Sequence, residues 1–425
     1  MSTRMDQNKQ GVYIDLFSGC GGLSLGLGNA GWKGLFAVEK DSMAFNTFKH
    51  NLIDGKHSHF EWPTFLPKKE TTIQELLEKY PKELTSLRGK VDLIAGGPPC
   101  QGFSLAGQRN EKDPRNKLSE EYIKMVELVS PKYILLENVR GFASSFKSTT
   151  GKKAKLPYAM VVKKKLEDLG YAIFHDFLCS ADFGVPQKRT RFIMIGIKKE
   201  HLKNKSLNPF EKLLTMRSDF LKSKGLPDTK IRVKDAINDL LIENNQLDYH
   251  SGNQQSGFKK LKYISQTKPN AYLKLMRDGM GKKSPNSLRI ARHRPETIIK
   301  FKLIQKICKP GITLSNEMRA QIGTRKQAIT VLNPEQPSKT LTTLPDDLLH
   351  YSEPRILTVR EMARIQSFPD WFDILGKYTT GGSRRTQECP RYTQVGNAVP
   401  PLLGEALGLT IQNLRDELEN GKAAI

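Results

Sequence analysis

The chain has 425 residues, of which 38% are hydrophobic and 26% charged, a composition typical of a folded soluble protein and unlike that of disordered or collagenous chains. Its 68 lysines and arginines against 44 aspartates and glutamates give a formal net charge of +24, which favours a polyanionic partner such as nucleic acid. No apolar run approaches the roughly 18 residues that span a bilayer, and MSTRMDQNKQ lacks the apolar stretch of a signal peptide. We therefore expect a cytoplasmic protein that contacts no membrane.

The first half of the chain alternates between short β-prone runs and stretches with helical spacing. Strands are predicted over residues 12–17, 35–38, 91–95, 133–136 and 191–197. Helices are predicted between them, over residues 43–51, 72–80, 122–129 and 159–169. Strands that alternate with helices predict an α/β fold, with a mostly parallel sheet covered on both faces.

The alternation breaks after Lys199. Residues 198–350 contain 30 lysines and arginines against 14 acidic residues, a net charge of +16 that suits contact with phosphates. Within this region only 292–309 has clear helical spacing, and a last helix is predicted over 402–419. We predict three parts, which are an α/β domain over 1–197, a basic insertion over 198–345, and a segment over 346–425 that returns to the first domain.

The cysteines favour neither a disulfide framework nor a metal site. They are odd in number, widely spaced and form no Cys-x-x-Cys pair. We expect reduced thiols, of which at least one is free for chemistry, and no bound metal. The cysteines are Cys20, Cys100, Cys179, Cys308 and Cys389.

A glycine cluster follows the first predicted strand. Phe17, Gly19, Gly21 and Gly22 lie between that strand and a helix, where glycine lets the backbone approach a ligand closely. The spacing FSGCGG differs from the dinucleotide pattern GxGxxG and suits a nucleoside cofactor without a pyrophosphate. Glu39 ends the second strand, where an acid can hold both ribose hydroxyls. A tight turn without ligand, with Glu39 as a surface carboxylate, is the alternative.

A rigid turn presents Cys100 after the third predicted strand. The sequence GGPPCQGFS covers residues 96–104, and Pro98 and Pro99 stiffen the exit from the strand. Ligands of open α/β sheets gather at this carboxyl edge. Because a thiolate is a strong nucleophile, Cys100 is a candidate for covalent catalysis rather than a small apolar filler.

An acid and two arginines are predicted at the same edge. The strand YILLENV ends at Glu137 and Asn138, and PQKRTRF opens a later strand with Arg189 and Arg191 on one face. The arginines can clamp a carbonyl oxygen or a phosphate, or they are ordinary solvated side chains.

A thiol, an acid and an arginine together suit attack on an electron-poor pyrimidine. The thiolate adds to ring carbon 6, the carboxyl group supports protonation at ring nitrogen 3, and the arginine steadies the 2-carbonyl oxygen. Ring carbon 5 then becomes a nucleophile that can take a methyl group.

Six motifs in order resemble those of the DNA (cytosine-5)-methyltransferases of bacterial restriction–modification systems. They are DLFSGCGG, GGPPCQGFS, ENV, QKRTR, TVREMARIQSFPDWF and QVGNAVPPLL. The resemblance spans residues 11–197 and about 330–415. It implies a Rossmann-like, S-adenosylmethionine-dependent fold with a smaller inserted target-recognition domain between the two matching regions.

The resemblance also implies roles for matching residues. Cys100 would be the nucleophile, Glu137 would engage ring nitrogen 3, and Arg189 and Arg191 would hold a flipped cytosine. S-adenosyl-L-methionine would be bound by Phe17, Ser18, Gly19, Gly21, Gly22, Glu39, Asn397 and Ala398. DNA would be contacted by Gln101, Ser104, Arg109 and Gln187, and residues 104–118 would form a loop that closes over it. Arg364 and Gln366 would organise the smaller domain.

One position departs from the family pattern. The family commonly closes its third strand with an Asp-Ile pair, whereas this chain has Thr72 before Ile73. We expect Glu70 to substitute or the contact to the adenine of the cofactor to be weaker.

The implied function is methylation of cytosine carbon 5 in a specific duplex DNA sequence. The enzyme would act as a monomer, and the methylation would protect host DNA from a paired restriction endonuclease. One alternative is a methyltransferase of the same fold that acts on transfer RNA, although the basic insertion favours a domain that reads a duplex. The other is a catalytically idle DNA-binding relative, against which the intact Cys100 and Glu137 argue.

Overall fold

The computed structural model describes residues 10–99, 117–144, 156–202, 207–249, 257–380, 384 and 387–420. Its first half builds a six-stranded sheet of order β2-β1-β3-β4-β7-β5. The strands, with the short β6 outside this sheet, are β1 (Val12–Leu16), β2 (Lys33–Val38), β3 (Leu93–Gly96), β4 (Tyr133–Val139), β5 (Tyr171–Cys179), β6 (Gln187–Lys188) and β7 (Thr190–Lys198). Strands β1 to β4 are parallel, so the predicted mostly parallel α/β sheet is confirmed.

Strand β7 runs antiparallel to both β4 and β5. Residues 180–189 join β5 to β7, and this short connection returns the chain beside itself, whereas a parallel pair needs a longer crossover. The sequence predicted β7 but not β5. The three consecutive exposed residues at 175–177, which include His175 and Asp176, weaken the apolar signal of this edge strand.

Helices cover both faces of the sheet and continue through the second half of the chain. They are α1 (Gly22–Asn29), α2 (Ser42–Phe48), α3 (Ile73–Lys79), α4 (Pro81–Thr85), α5 (Lys117–Val129), α6 (Tyr158–Asp168), α7 (Pro209–Ser223), α8 (Val233–Ile237), α9 (Ala271–Met276), α10 (Pro295–Ile307), α11 (Asn316–Ile322), α12 (Val359–Ile365), α13 (Arg391–Asn397) and α14 (Pro401–Asn420). A π-helical turn over Lys49–Ile53 extends α2. In the ranges described above, no helix is long and apolar enough to cross a membrane.

Two apolar layers form the core, one on each face of the sheet. Successive strand residues alternate between them, so that Tyr13 and Leu135 lie in one layer while Ile14 and Ile134 lie in the other. All four side chains are fully buried or nearly so. The layer that contains Tyr13 continues into the C-terminal half of the chain, which therefore shares one core with the sheet.

The region after residue 198 adds short strands and packs back on the sheet domain. The strands are β8 (Gln246–Tyr249), β9 (Lys259–Lys262), β10 (Thr330–Val331), β11 (Ser338–Lys339) and β12 (Leu348–Leu349). Strand β11 pairs in parallel with β6, which directly precedes β7. Helix α7 lies against α14, with ion pairs from Lys212 to Glu417 and from Lys224 to Glu405. The first helix of the predicted insertion thus packs with the C-terminal helix.

A buried ion cluster joins the insertion to α12. Arg364 donates from Nε and Nη2 to the two carboxylate oxygens of Asp370, each at 2.8 Å, and from Nη1 to Asp239 at 2.5 Å. Arg277 donates to Asp370 at 3.1 Å. Burial opposes ionisation of Asp370, but the facing guanidiniums hold its pKa below the usual range. Because unpaired charges are costly to bury, this cluster fixes how the insertion sits on α12.

Close packing of α1 on α14 depends on glycine. A β-carbon at Gly26 would lie 2.5 Å from both Pro401 O and Glu405 N. These are backbone atoms, so no side-chain rotation can relieve the clash. At Gly404, on the facing helix, the closest atom to such a β-carbon would be Leu23 O at 3.3 Å. The two helix backbones therefore touch almost directly at Gly26.

We expect Gly26→Ala to lower the free energy of unfolding by about 1–3 kcal/mol, because the added methyl group forces the helices apart. Urea-induced unfolding of both forms provides the measurement. Gly404→Ala makes the same chemical change with more room and should cost clearly less. Equal stability of Gly26→Ala and the parent chain would contradict the packing described here.

Candidate active site

The carboxyl ends of β1 to β4 meet the first residues of β7 at one edge of the sheet. In the β4–β7 ladder Val139 pairs with Arg191 and Glu137 pairs with Ile193. Because β7 runs against β4, its beginning lies where the parallel strands end. This edge gathers the glycine turn after β1, Glu39 after β2, the Gly97–Pro98 exit from β3, and Glu137.

The glycine turn after β1 has an unusual backbone. Phe17, Gly19 and Gly21 have φ angles of 61°, 56° and 99°, in the left-handed region that costs energy at a non-glycine residue such as Phe17. A β-carbon at Gly19 would meet no atom of the described residues within 4 Å, so these residues leave space open above the turn. The buried Ser18 Oγ has no hydrogen-bond partner among the described residues. An open cradle beside an unpaired hydroxyl suits a polar ligand.

Glu39 closes this turn from β2. Its Oε2 accepts from Gly19 N at 2.9 Å, and its Oε1 accepts from Asp41 N at 2.8 Å. Burial raises the pKa of the carboxyl group, and the two backbone donors oppose that rise. Glu39 is therefore part of the turn rather than a loose surface carboxylate. Each carboxylate oxygen keeps a lone pair that can accept from a ligand hydroxyl.

Asp15 lies beneath the turn and was not singled out from the sequence. Its side chain is buried, and its Oδ2 accepts a hydrogen bond of 2.6 Å from Ser24 Oγ. Burial raises the pKa of Asp15 to about 7, and the negative charge of Glu39 adds to the rise. An acidic residue in the middle of the apolar run VYIDL is the signal that could have identified it.

Glu137 and Arg191 form an ion pair of 2.8 Å between Oε1 and Nε, with side chains 14% and 11% exposed. The exit from β3 passes directly over this pair. A β-carbon at Gly97 would lie 3.0 Å from Glu137 Oε2, and Asn138 Nδ2 donates to Pro98 O at 3.1 Å. The segment that leads to Cys100 is thus anchored on the end of β4.

Four predicted site residues lie outside the described residues. They are Cys100, Gln101, Ser104 and Arg109. The predicted closing loop over 104–118 is described only at its last residues, where α5 begins with Lys117.

Arg189 differs from the expectation that both arginines face the same site. It is buried, donates to Leu341 O and Asn397 O at 3.2 Å each, and leaves Nε without a partner among the described residues. Burial and the neighbouring Arg191 lower its pKa. Because Arg189 precedes β7 rather than lying within it, strand alternation does not place it beside Arg191. Only Arg191 pairs with Glu137.

Gln187 was predicted to contact DNA, and the structure places it in the interior instead. Its side chain is fully buried, donates to Gln366 Oε1 at 2.6 Å and accepts from Leu341 N at 2.7 Å. Gln366 in turn donates to Val395 O and Ala398 O. The pairing of β6 with β11, invisible in the sequence pattern, turns Gln187 inward. This network ties β6, the end of the insertion and the C-terminal segment together.

The C-terminal segment completes the edge beside the glycine turn. The Asn397 side chain is exposed, while its backbone oxygen accepts from Arg189. A β-carbon at Gly22 would lie 2.2 Å from Val399 O, so residues 397–399 run directly against the start of α1. Asn397 and Ala398 therefore stand close to the glycine turn.

Comparison with known proteins identifies the family. A family model described as C-5 cytosine-specific DNA methylase matches residues 12–413, which is most of the chain. The chain belongs to this family. It is a DNA (cytosine-5)-methyltransferase.

Type II methyltransferases are among the relatives that the chain resembles. M.DdeI of Desulfomicrobium norvegicum is 30% identical over 403 residues, which cover 93% of this chain and 86% of the relative. M.AgeI of Thalassovita gelatinovora is 30% identical over 459 residues, which cover 94% and 98%. Among solved structures, a protein assigned as a prophage-encoded DNA modification methyltransferase of E. coli has a TM-score of 0.58 at 23% identity, covering 96% of this chain and all of the other. That structure supports the fold.

Thr72, where the family commonly has an aspartate, caps α3. Its Oγ1 accepts from Glu75 N at 3.1 Å, and the Glu75 carboxylate accepts from Thr72 N at 3.0 Å. This reciprocal pair is a capping box, which the spacing Thr-x-x-Glu predicts. Thr71 N donates to Glu39 O at 2.8 Å, so the segment still lies beside the predicted cofactor site. No strand forms at residues 68–72, all of which are described, and Glu70 is exposed.

In the described part of the chain, no three His, Cys, Asp or Glu side chains gather in a way that could hold a metal ion. Cys20, Cys179, Cys308 and Cys389 are free thiols. Burial raises the pKa of Cys20 to about 12, which keeps this thiol of the glycine turn protonated.

We expect Asp15→Asn to remove part of the pH dependence of stability. A folded-state pKa of about 7 lies above the unfolded value, so stability that Asp15 contributes below about pH 4 is lost as the pH rises through 7. Relative to Asp15→Asn, the parent chain should lose on the order of a few kcal/mol of unfolding free energy between pH 4 and pH 8.

Denaturant unfolding of both forms across this pH range measures the effect. Ser24→Ala is the matched variant, because it removes the hydrogen bond that favours the ionised form of Asp15. At neutral pH its free energy of unfolding should therefore be lower than that of the parent chain. Parallel pH profiles for Asp15→Asn and the parent chain would show that Asp15 is not the titrating group.

Proposed function

We propose that the chain transfers a methyl group from S-adenosyl-L-methionine to carbon 5 of a cytosine extruded from duplex DNA, through a transient bond between Cys100 Sγ and ring carbon 6. One observation carries the proposal. The Glu137–Arg191 ion pair lies directly under the Gly97–Pro98 segment that leads to Cys100. A carboxylate and a guanidinium thereby lie beside the segment that directly precedes Cys100, which supports a shared role for these three residues.

The residues around the glycine turn fit the proposed cofactor. Among the described residues, nothing fills the space above Gly19 and nothing pairs with Ser18 Oγ, which leaves room for a nucleoside and a donor or acceptor for it. Glu39 keeps lone pairs for ribose hydroxyls, and the exposed Asn397 side chain reaches the same edge from α13. When bound, the cofactor supplies an electrophilic methyl group. These side chains hold and orient it, together with Phe17, Gly21, Gly22 and Ala398.

The chain's own residues prepare the pyrimidine. Cys100 attacks carbon 6, and Glu137 holds a proton at ring nitrogen 3, so that electrons move to carbon 5. Arg191 orients Glu137 through Nε and donates from Nη1 to Thr190 O at 3.0 Å. Its remaining donors can hold the 2-carbonyl oxygen. The buried Arg189 stabilises this edge through its hydrogen bonds to Leu341 O and Asn397 O.

Duplex DNA is the proposed substrate, with sequence choice in residues 198–345. The net charge of +16 over residues 198–350 supports contact with a phosphate backbone, and the relatives M.DdeI and M.AgeI are named type II methyltransferases. We infer that methylation by this chain protects host DNA from a paired restriction endonuclease. We infer a monomer that works in the cytoplasm on nucleoid DNA. Action on transfer RNA is the second candidate, since the catalytic edge alone does not distinguish the two nucleic acids.

We infer that the target base is extruded from the duplex. Because Cys100 directly follows Pro98–Pro99 in the sequence, we expect its thiol to stay near the sheet edge, from which carbon 6 of a cytosine stacked in a duplex is out of reach. The base must therefore rotate out, at a cost of a few kcal/mol.

We expect Cys100→Ala to abolish a covalent adduct with duplex DNA that carries 5-fluorocytosine at the target. Fluorine replaces the proton that is removed after methyl transfer, so the adduct should survive denaturation and shift the protein on a denaturing gel. Cys179→Ala is the matched control, because Cys179 is a free thiol at the end of β5, at the same sheet edge. An adduct that persists in Cys100→Ala would overturn the assignment. Stronger adduct formation with 5-fluorocytosine-containing transfer RNA would favour the second candidate.

We expect Glu137→Gln to lower the rate of methyl transfer by about 10²–10⁴-fold, since it removes the group that handles the proton at ring nitrogen 3. Single-turnover transfer of a radiolabelled methyl group gives the rate. DNA with 2-aminopurine at the target should still brighten on binding, because extrusion does not depend on that proton. A rate within about threefold of the parent enzyme would exclude Glu137 from proton handling.

A further inference from the structure

Two lysines are forced together at the rim of the catalytic edge. Strand β11 pairs in parallel with β6, and their register places Lys339 beside Lys188. Neighbouring strands lie about 4.8 Å apart, and paired residues project their side chains on the same face. Both lysines are exposed, although 151 positions separate them in the sequence.

Neither lysine has an acidic partner in the part of the chain that the structure describes. Lys188 Nζ donates to Gln336 Oε1 at 3.2 Å, and Lys339 Nζ donates to Thr313 Oγ1 at 2.6 Å, both neutral side chains. The adjacent Glu335 is engaged by Arg232 and Lys234. Two like charges side by side on neighbouring strands destabilise a sheet unless an anion lies between them. The pair thus presents two positive charges on neighbouring strands, and no acidic side chain among the described residues neutralises them.

The position of the pair indicates which anion. Lys188 directly precedes Arg189 and lies three residues before Arg191, whose partner is Glu137. On the other strand, Lys339 is two residues before Leu341. The backbone N of Leu341 donates to the Gln187 side chain, and its backbone O accepts from Arg189. The lysines therefore stand where the catalytic sheet meets the end of the insertion. A nucleic acid bound across both parts would pass this point.

We propose that Lys188 and Lys339 together bind one backbone phosphate of the DNA strand that carries the extruded cytosine. This inference rests on the proposed function, in which duplex DNA is the substrate. A compact ammonium group binds phosphate as a point charge from either side, and two of them can share one phosphate without the fixed fork that arginine imposes. The phosphate would link the strand that leads to Arg191 with the last strand of the insertion.

The test is the salt dependence of DNA affinity for Lys188→Gln, Lys339→Gln and the double variant. Each phosphate contact contributes about one unit to the slope of log affinity against log salt concentration. With a shared phosphate, each single variant keeps part of the contact, and only the double variant should lose about one full unit, with affinity at low salt reduced roughly tenfold or more. Lys188→Arg with Lys339→Arg should retain the slope.

Lys90→Gln is the matched control, because Lys90 is exposed and lies before β3, at the opposite edge of the sheet. It makes the same charge change and should leave the slope unaltered. An unchanged slope in the double variant, or an equal loss in Lys90→Gln, overturns the proposal. A loss of one unit in each single variant and two in the double variant also overturns it, in favour of two separate contacts.

Thermal unfolding of the free proteins separates binding from structure. Because each substitution relieves repulsion between two cations, the single variants should melt at the same temperature as the parent enzyme or higher. Lower melting temperatures that parallel the loss of affinity would assign the lysines a structural role instead. Absence of methyl transfer to duplex DNA by the parent enzyme would refute the proposed function itself, a result distinct from an unchanged salt slope in an active enzyme.

Discussion

The direction of β7 decides what the catalytic edge contains. An arginine at the beginning of a parallel strand would lie at the amino edge of the sheet, far from the ligand. Because β7 runs against β4, Arg191 instead stands opposite Val139 and pairs with Glu137 at 2.8 Å. The short return from β5 enforces this direction, since a connection of that length suits an antiparallel pair. The chemistry proposed for Cys100, Glu137 and Arg191 depends on that reversal.

The insertion and the C-terminal segment both contact the residues that precede β7 at this edge of the sheet. Gln187, buried in front of β7, links to Leu341 at the end of the insertion and to Gln366 after α12. Arg189 adds Asn397 to the same network. A displacement of the insertion is therefore felt at the strand that carries Arg191. This arrangement gives a physical route by which the proposed binding of DNA on the insertion would influence the alignment of the proposed catalytic groups.

Rigidity of the insertion comes from paired charges as well as from apolar packing. Arg364 is completely buried and is held between Asp239 of the insertion and Asp370 after α12. Removing one partner would leave an uncompensated charge in the interior, which is far more costly than the loss of a surface ion pair. The close contact of α1 with α14 at Gly26 likewise fixes two parts of the chain against each other, beside the proposed cofactor site. There the C-terminal helix fixes residues 397–399 against the glycine turn.

The sequence by itself determined the α/β class, the positions of most central strands, and the meeting of Glu39 and Glu137 at one sheet edge. Those features follow from local apolar patterns and from the rule that parallel strands end on the same side. It also contained the Thr72 capping box, which needs only a four-residue spacing. The tertiary structure alone decided the direction of β7, the presence of β5, the burial of Gln187 and the separation of Arg189 from Arg191. It alone placed Lys188 beside Lys339. These outcomes depend on pairing between strands far apart in the chain, and no local pattern of residue types encodes such a partner.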